Sequence, residues 1–444
     1  MAESDHPLRN QDSGTLTEEK DSQITVIESL DSLQNNHFDH GIRAWGTVVG
    51  SWLVQFCIIG VPLSFGVTES FYAREYLADF TPSQINWIGS LQLCLMYLLG
   101  LAVAGLFDAG HFHFISIAGS ILFLFSIFML SLAKEGQYYQ VFLSQGLGMG
   151  IGTGIMYTPT SSVVAHHFKK RRSIAMGVIT TGSAIGGFFF SSIFGHFLDG
   201  SIGFAWGIRI GAFVCLACLC TANLLMRTNY PLSQTARPAL SSTATPLATL
   251  LRTPAYIFMI LYGFFISLAL YNPMFSVELF AQEHGNIPSA LTSYLVAIIN
   301  LSSTLGRTIP NWLADRYGVL PVYIPCVAAA GVLALVMMVC TTAASITIFC
   351  ILYGFFSGAC VSLFFPAVLS LDPDLTRSGL RLGLASVPVG IASLVGTPIA
   401  AAVVGANHKW WAGSVFTGVL ELASAGLLLA VYITKPRFSI PAGS

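Results

Sequence analysis

Charge is what this 444-residue chain has least of: Asp, Glu, Lys and Arg together make up 9% of it. Soluble surfaces are typically about a quarter to a third charged, so these few groups cannot cover a water-soluble globule of this length. The charge is also balanced, with 20 Lys and Arg against 21 Asp and Glu. No basic excess is left to neutralise phosphates, which excludes nucleic acid as a partner. A disulfide framework is missing too, because all nine cysteines fall in apolar stretches. Cys215-x-x-Cys218 has no cationic neighbour to favour a thiolate and reads as packing. His111, His113, His166 and His167 lack the spacing and partners of a metal cluster, so no metal and no cofactor is expected. The run Gly146-x-Gly148-x-Gly150-x-Gly152-x-Gly154 lacks the Gly-Lys-Ser/Thr ending of a phosphate loop; small residues at this spacing let helices approach closely. Asp372-Pro-Asp374 is expected to cap a helix rather than hold a metal. With no convergent His, Asp or Cys groups, the chain is not expected to be an enzyme.

What is present is apolar. Hydrophobic residues are 54% of the chain and the mean hydropathy is +0.71. A hydrocarbon core of about 30 Å needs about 20 such residues per helix. Twelve runs qualify, near 44–68, 83–106, 112–133, 138–164, 173–198, 204–226, 254–279, 288–313, 319–340, 343–371, 378–404 and 410–434. The fold class expected is all-α, with twelve transmembrane helices in two pseudo-symmetric six-helix bundles. The bundles would span 41–226 and 254–434, joined by a Pro/Ser/Thr/Ala-rich cytosolic linker at 227–253. Residues 1–40 carry nine acids and two cations and lack an apolar face, so they read as a disordered cytosolic tail with no cleavable signal; 435–444 form a second cytosolic tail.

Cations set the orientation. Lys169, Lys170, Arg171 and Arg172 stand directly before the fifth span and resist translocation. With both termini inside, the inner loops and C-terminal tail hold twelve Lys and Arg against three outside. A weak repeat supports two halves: Asp108 and Asp315 are 207 residues apart, as are Pro159 and Pro366, while Arg171 with Gly177 and Arg377 with Gly383 are 206 apart. Parallel repeats with a site between them at the midplane are a transporter pattern.

Within the spans, ionisable residues are costly. Arg307, in the eighth span, costs at least ~2.5–3.5 kcal/mol on insertion scales unless it is paired or faces water, which marks it as functional or as snorkelling beside Asp315. Glu421, near the middle of the twelfth span, is a proton-carrier candidate. Arg209, in the sixth, is a gate candidate that could pair with Asp199, Glu69 or Glu278. Asn300, Ser302 and Ser303 of the eighth span and Tyr271 and Asn272 of the seventh are candidates to line a cavity.

Several motifs resemble a known group. Gly306-Arg307-x-x-Pro310-x-x-x-Ala314-Asp315-Arg316-x-Gly318 is similar to the signature loop of the major facilitator superfamily, and Gly100…Gly105-x-x-Asp108-x-Gly110 is its eroded counterpart. More narrowly, Asp39-x-Gly41-x-Arg43-Ala44-Trp45 and Phe168-Lys169-Lys170-Arg171-Arg172-x-x-Ala175-x-Gly177 resemble hallmarks of the monocarboxylate-porter family. Trp87-Ile88-Gly89-Ser90-Leu91-Gln92 resembles its fungal branch. The resemblance covers about residues 39–434. It implies a secondary transporter working by alternating access, with Asp108, Asp315, Arg316, Arg171 and Arg172 in gating roles and Arg307 holding a substrate carboxylate. Ser303 stands where the animal lactate porters carry a proton-coupling Asp, and an apolar residue near Val67 replaces their first-span Lys, so the lactate mechanism does not carry over whole.

The aromatic content of the seventh and tenth spans, Phe264, Phe265, Tyr271, Phe275, Tyr353, Phe355 and Phe356 among it, suits an apolar or conjugated solute as well as a carboxylate. The expected function is export of a weakly acidic fungal metabolite from a cell, with the plasma membrane as location and a vacuolar or other endomembrane as the alternative. Proton coupling and an accessory subunit are left open. The alternatives are uptake of a monocarboxylate or a vitamin such as riboflavin, and a non-transporting nutrient receptor.

Overall fold

The computed structural model describes residues 41–168, 171–198, 203–228, 253–283, 288–292, 294–372, 378–404 and 409–435. The N-terminal tail, the C-terminal tail beyond Lys435 and nearly all of the 227–253 linker lie outside these residues, as do Lys169, Lys170, Asp199, Asp374 and Arg377. The described chain is helical throughout, and its helices make twelve spans. α1 comprises Ile42–Ile58, Gly60–Leu63 and Phe65–Phe71. α2 is Pro82–Asp108 and α3 is Phe112–Leu130. α4 runs through Tyr138–Val141, a wider π-helical stretch Phe142–Met149, and Gly150–Ala165. α5 is Arg172–Leu198 and α6 Gly203–Leu225. α7 is Pro254–Ala269 followed by Asn272–Glu283. α8 is Leu295–Tyr317 and α9 Val319–Val336. α10 is Ala343–Ser362 plus Phe364–Leu369, α11 Ser378–Val404 and α12 Trp410–Thr434.

Ten of these are long and apolar enough to cross a membrane on composition alone. α4 misses because its helix changes winding, and α8 because Arg307, Asp315 and Arg316 dilute its apolar content. The eighth span also moves: expected at 288–313, it begins at Leu295 and continues through Asp315 and Arg316 to Tyr317. The turn into α9 is only Gly318, at φ 92°, a left-handed conformation that costs glycine little. Asp315 and Arg316 thus sit in the last turn of a helix rather than in a loop.

Prolines account for the breaks the hydropathy pattern missed. α7 opens at Leu270 and Tyr271, where Pro273 withholds the N–H that would close the ladder onto Ala269. α10 opens at Leu363, and Pro366 in the same way leaves the Ser362 carbonyl without its ladder donor. The glycine run in α4 alternates between two neighbours: Gly146, Gly150 and Gly154 face α2 at Ile88, Gln92 and Leu95, while Gly148 and Gly152 face α3 at Ser126 and Phe123. Two faces of one helix are therefore pressed against other helices, as close packing by small residues requires.

The two halves meet along α2 with α11 and α5 with α8. Both seams depend on a glycine. A Cβ on Gly177 of α5 would collide with the Arg307 carbonyl and the Asn311 side chain of α8, and one on Gly383 of α11 would collide with Gly100 and Leu101 of α2. These are the residues related by the 206-residue offset, so the sequence repeat corresponds to equivalent contacts in the two halves.

Candidate functional site

Between the halves lies a cavity with an empty volume of about 600 Å³ including its mouth. It is lined from α1 by Gln55, Ile59 and Leu63, from α2 by Tyr97, from α4 by Tyr157, and from α5 by Thr180 and Ser183. The other half contributes Leu270, Tyr271 and Met274 of α7, Ile299, Asn300, Ser303 and Arg307 of α8, and Ser357, Gly358 and Val361 of α10. Asn300, Ser303 and Arg307 share one face of α8 because three- and four-residue steps return to the same side of a helix.

Arg307 is the only charged residue among the described lining residues, and it is 7% exposed. Rather than snorkelling towards Asp315, it reaches across to the other half. Nη1 donates to the Thr180 carbonyl at 2.7 Å and to the Ser183 hydroxyl at 2.5 Å, while Nε is buried without a partner. Asn311, one turn further, donates to the Arg307 carbonyl at 2.8 Å and to Ser362 at 2.7 Å, bracing α8 against α10. Tyr97, Tyr157 and Tyr271 surround the guanidinium, with the Tyr97 and Tyr157 rings edge to face at 5.4 Å. Arg307 therefore sits in an aromatic and hydroxyl-lined pocket with no carboxylate against it among the described lining residues.

The end of the molecule below Arg307 is closed by two matching caps. Asp315 of α8 accepts from the backbone N–H groups of Ser173 and Ile174 at 2.8 and 2.9 Å, at the start of α5. Asp108 of α2 accepts from those of Gly379 and Leu380, both at 3.0 Å, at the start of α11. Each carboxylate thus takes two orphan donors at the positive end of a helix dipole in the opposite half. An interaction of this kind is typically worth up to about 1 kcal/mol, and at most about 2 kcal/mol when partly buried. His166 at the end of α4 adds a further bond across the halves, Nε2 to Ser378 Oγ at 3.1 Å.

Other residues singled out by the sequence lie elsewhere. Asn272 does not line the cavity: its amide donates to Thr417 of α12 at 3.1 Å, tying the second part of α7 to that helix. Ser302 turns outward and its hydroxyl donates to the Ile351 carbonyl at 2.5 Å. Arg316 stacks on Trp312 of its own helix, 3.9 Å from the ring centroid, rather than bridging the halves. Arg209 donates to the Ser131 hydroxyl of α3 at 3.3 Å and lies over Trp206, which ties it within its own half. Arg172 donates to the Phe168 carbonyl at 3.3 Å, and Arg171 is exposed at the closed end. Glu421 of α12 is fully buried, away from the cavity, with Oε1 2.8 Å from the Tyr353 hydroxyl of α10. Sequence reasoning missed Gln55, Tyr97, Tyr157, Thr180, Ser183 and Ser357; the available signal was a polar side chain within an apolar span, but the same signal marks the many Ser and Thr that bond only to their own helix.

The model of the Major Facilitator Superfamily matches residues 51–306 and 259–443. The chain is 32% identical over 393 residues to a protein named Fujikurins efflux protein from Gibberella fujikuroi, covering 88% of this chain and 83% of that one. It is also 32% identical over 401 residues to the Agnestins efflux protein AgnL12 of Paecilomyces divaricatus, covering 90% and 89%. Among solved structures, the Escherichia coli fucose:proton symporter FucP superposes with a TM-score of 0.65 at 16% identity, covering 88% of this chain and 97% of that one. With two six-helix halves around a central cavity and both halves matched by the family model, this multi-pass integral membrane protein belongs to the Major Facilitator Superfamily.

Proposed function

We propose that the chain exports a weakly acidic, largely apolar organic metabolite by alternating access, and that Arg307 holds the anionic group of that solute. The observation that carries this reading is the buried guanidinium facing the cavity, with a free Nε donor and no carboxylate among the described lining residues to neutralise it. A planar fork of this kind suits a carboxylate or enolate. Aromatic and apolar walls suit the remainder of a conjugated solute. Fungal relatives named for efflux of fujikurins and agnestins support export, and the motifs at 39–45 and 168–177 support placement in the monocarboxylate-porter branch.

In this reading Asp108 and Asp315 latch the end that the cation census assigns to the cytosol, with both termini on that side of the plasma membrane. The caps hold only while that end is closed, so they bias the balance between the two access states. Asn300, Ser303 and Tyr271 position the solute, and Arg171 and Arg172 anchor the cytosolic end of α5.

The test is solute accumulation in inside-out vesicles across a panel of weakly acidic fungal metabolites and their uncharged esters. Export of at least one acid is expected, falling about tenfold or more in Arg307→Lys at normal protein level, since lysine keeps the charge and loses the fork. Equal loss for acids and esters, or normal transport by the lysine variant, overturns the role of Arg307. Inward movement of the solute in intact cells would instead favour uptake of a monocarboxylate or vitamin.

A further inference from the structure

Tyr353 is one residue from the cavity wall and has one proton for two oxygens. Its phenolic oxygen lies 2.8 Å from the Leu270 carbonyl and 2.8 Å from Glu421 Oε1. A carbonyl can only accept and a phenol has a single proton to give. When that proton goes to Leu270, the second contact is a hydrogen bond only if Glu421 carries a proton and donates it to the phenolic oxygen. An ionised Glu421 would have to compete with Leu270 for the one proton available.

The surroundings favour the protonated form on geometric grounds. Glu421 Oε2 is buried and has no partner. Its titratable neighbours are Tyr353 and Cys360 of α10 and Tyr262 of α7, and none of them is a cation. Tyr262 is already engaged with Tyr323, whose hydroxyl donates to the Cys360 carbonyl at 2.6 Å. On the α9 side Glu421 packs against Gly331, which offers no side chain at all. A carboxylate here would have one hydrogen bond to share and no opposite charge.

We propose that Glu421 is a proton-binding site, occupied in the conformation described here, and that Tyr353 transmits its charge state to the break in α7. Leu270 is the residue at which α7 opens, and with Tyr271 it lines the cavity beside Arg307. Loss of the Glu421 proton draws the Tyr353 hydroxyl away from Leu270 and leaves that carbonyl without its lateral donor, loosening the break that the solute touches. Linkage makes the effect reciprocal: whatever moves α7 also changes the affinity of Glu421 for its proton. This rests on the alternating-access reading above, and it identifies the coupling ion of the same cavity as a proton.

The test needs no solute. Full-length protein in liposomes is expected to show the infrared carbonyl stretch of a protonated carboxylic acid at neutral pH, absent from Glu421→Gln and retained in Arg307→Lys. The protection of the amides of residues 266–276, taken as exchange relative to the base-catalysed intrinsic rate at each pH, is expected to fall about tenfold as pH is raised in the wild type, the scale of one lost hydrogen bond. That loss of protection should vanish in Glu421→Gln, whose amide can donate to Tyr353 at every pH. In Tyr353→Phe, which keeps the carboxyl and removes the link, the band should persist while the protection no longer depends on pH. A wild-type protein without the band, or a pH-dependent protection that survives in either variant, overturns the proposal and leaves the export reading intact.

Discussion

At the scale of single residues, the two aspartates at the closed end do the same work in the two halves. Each caps a helix belonging to the other half, so each holds its bonds only while that end is shut. Asp315→Asn keeps one acceptor oxygen but removes the charge that interacts with the α5 dipole. At about 1 kcal/mol, this should shift the access equilibrium by about fivefold. Transport at matched protein level should change by a similar factor, and electron spin resonance should find longer distances between labels on α5 and α8 at that end. Asp108→Asn should do the same for α2 and α11, and the double variant should show both effects added, because the two sites share no partner. Unchanged distances in both single variants would remove the latch. The carboxylates were recognisable as important from their positions after apolar runs, but their partners were not, because a backbone N–H leaves no trace in residue identity. Asn272 shows the opposite case: its place before Pro273 suggested the cavity, yet rotation at the break in α7 turns it towards Thr417.

At the scale of elements, close approach between α5 and α8 depends on the absence of a side chain at Gly177. A Cβ there would overlap the Arg307 carbonyl, the backbone of a residue that lines the cavity. Gly177→Ala should therefore push the two helices apart, at a cost of about 1–3 kcal/mol to the closed state, and reduce transport by about tenfold or more with protein level near normal. Gly426→Ala is the matched control, because its Cβ would meet nothing within 4 Å, and it should transport normally. Equal transport by the two variants would show that the seam tolerates separation. The start of α11 at Ser378 and both ends of α12, Trp410 and Thr434, fall where the hydropathy pattern puts them. The interruptions in α1, α4, α7 and α10 were not foreseen, since a window averaged over a whole span is insensitive to one missing N–H or one extra residue in a turn.

At the scale of the whole molecule, the proposed orientation rests on cations that cluster at one end. A tag inserted after Lys170 should be reached by antibody only after the membrane is permeabilised, whereas a tag within 280–287 should be reached in intact cells. The reverse pattern would invert every assignment of an inner and an outer gate.

The sequence by itself determined the class of this protein: too little charge for a soluble surface, enough apolar length for twelve crossings, and a repeat offset that places equivalent residues in two halves. These properties are carried by composition and periodicity, which survive averaging along the chain. Only the tertiary structure decided what the ionisable residues meet. Arg307 is 124 residues from Ser183, Asp315 is 142 from Ser173, and Glu421 is 68 from Tyr353. Contacts at such separations depend on how helices rotate about their axes and where prolines let them bend. In most of these helices nearly every face is hydrophobic, so outside α8, with its polar face, the sequence pattern sets that rotation only weakly. Packing of the two halves does, and it brings one arginine to a shared cavity and one glutamate to a tyrosine behind it.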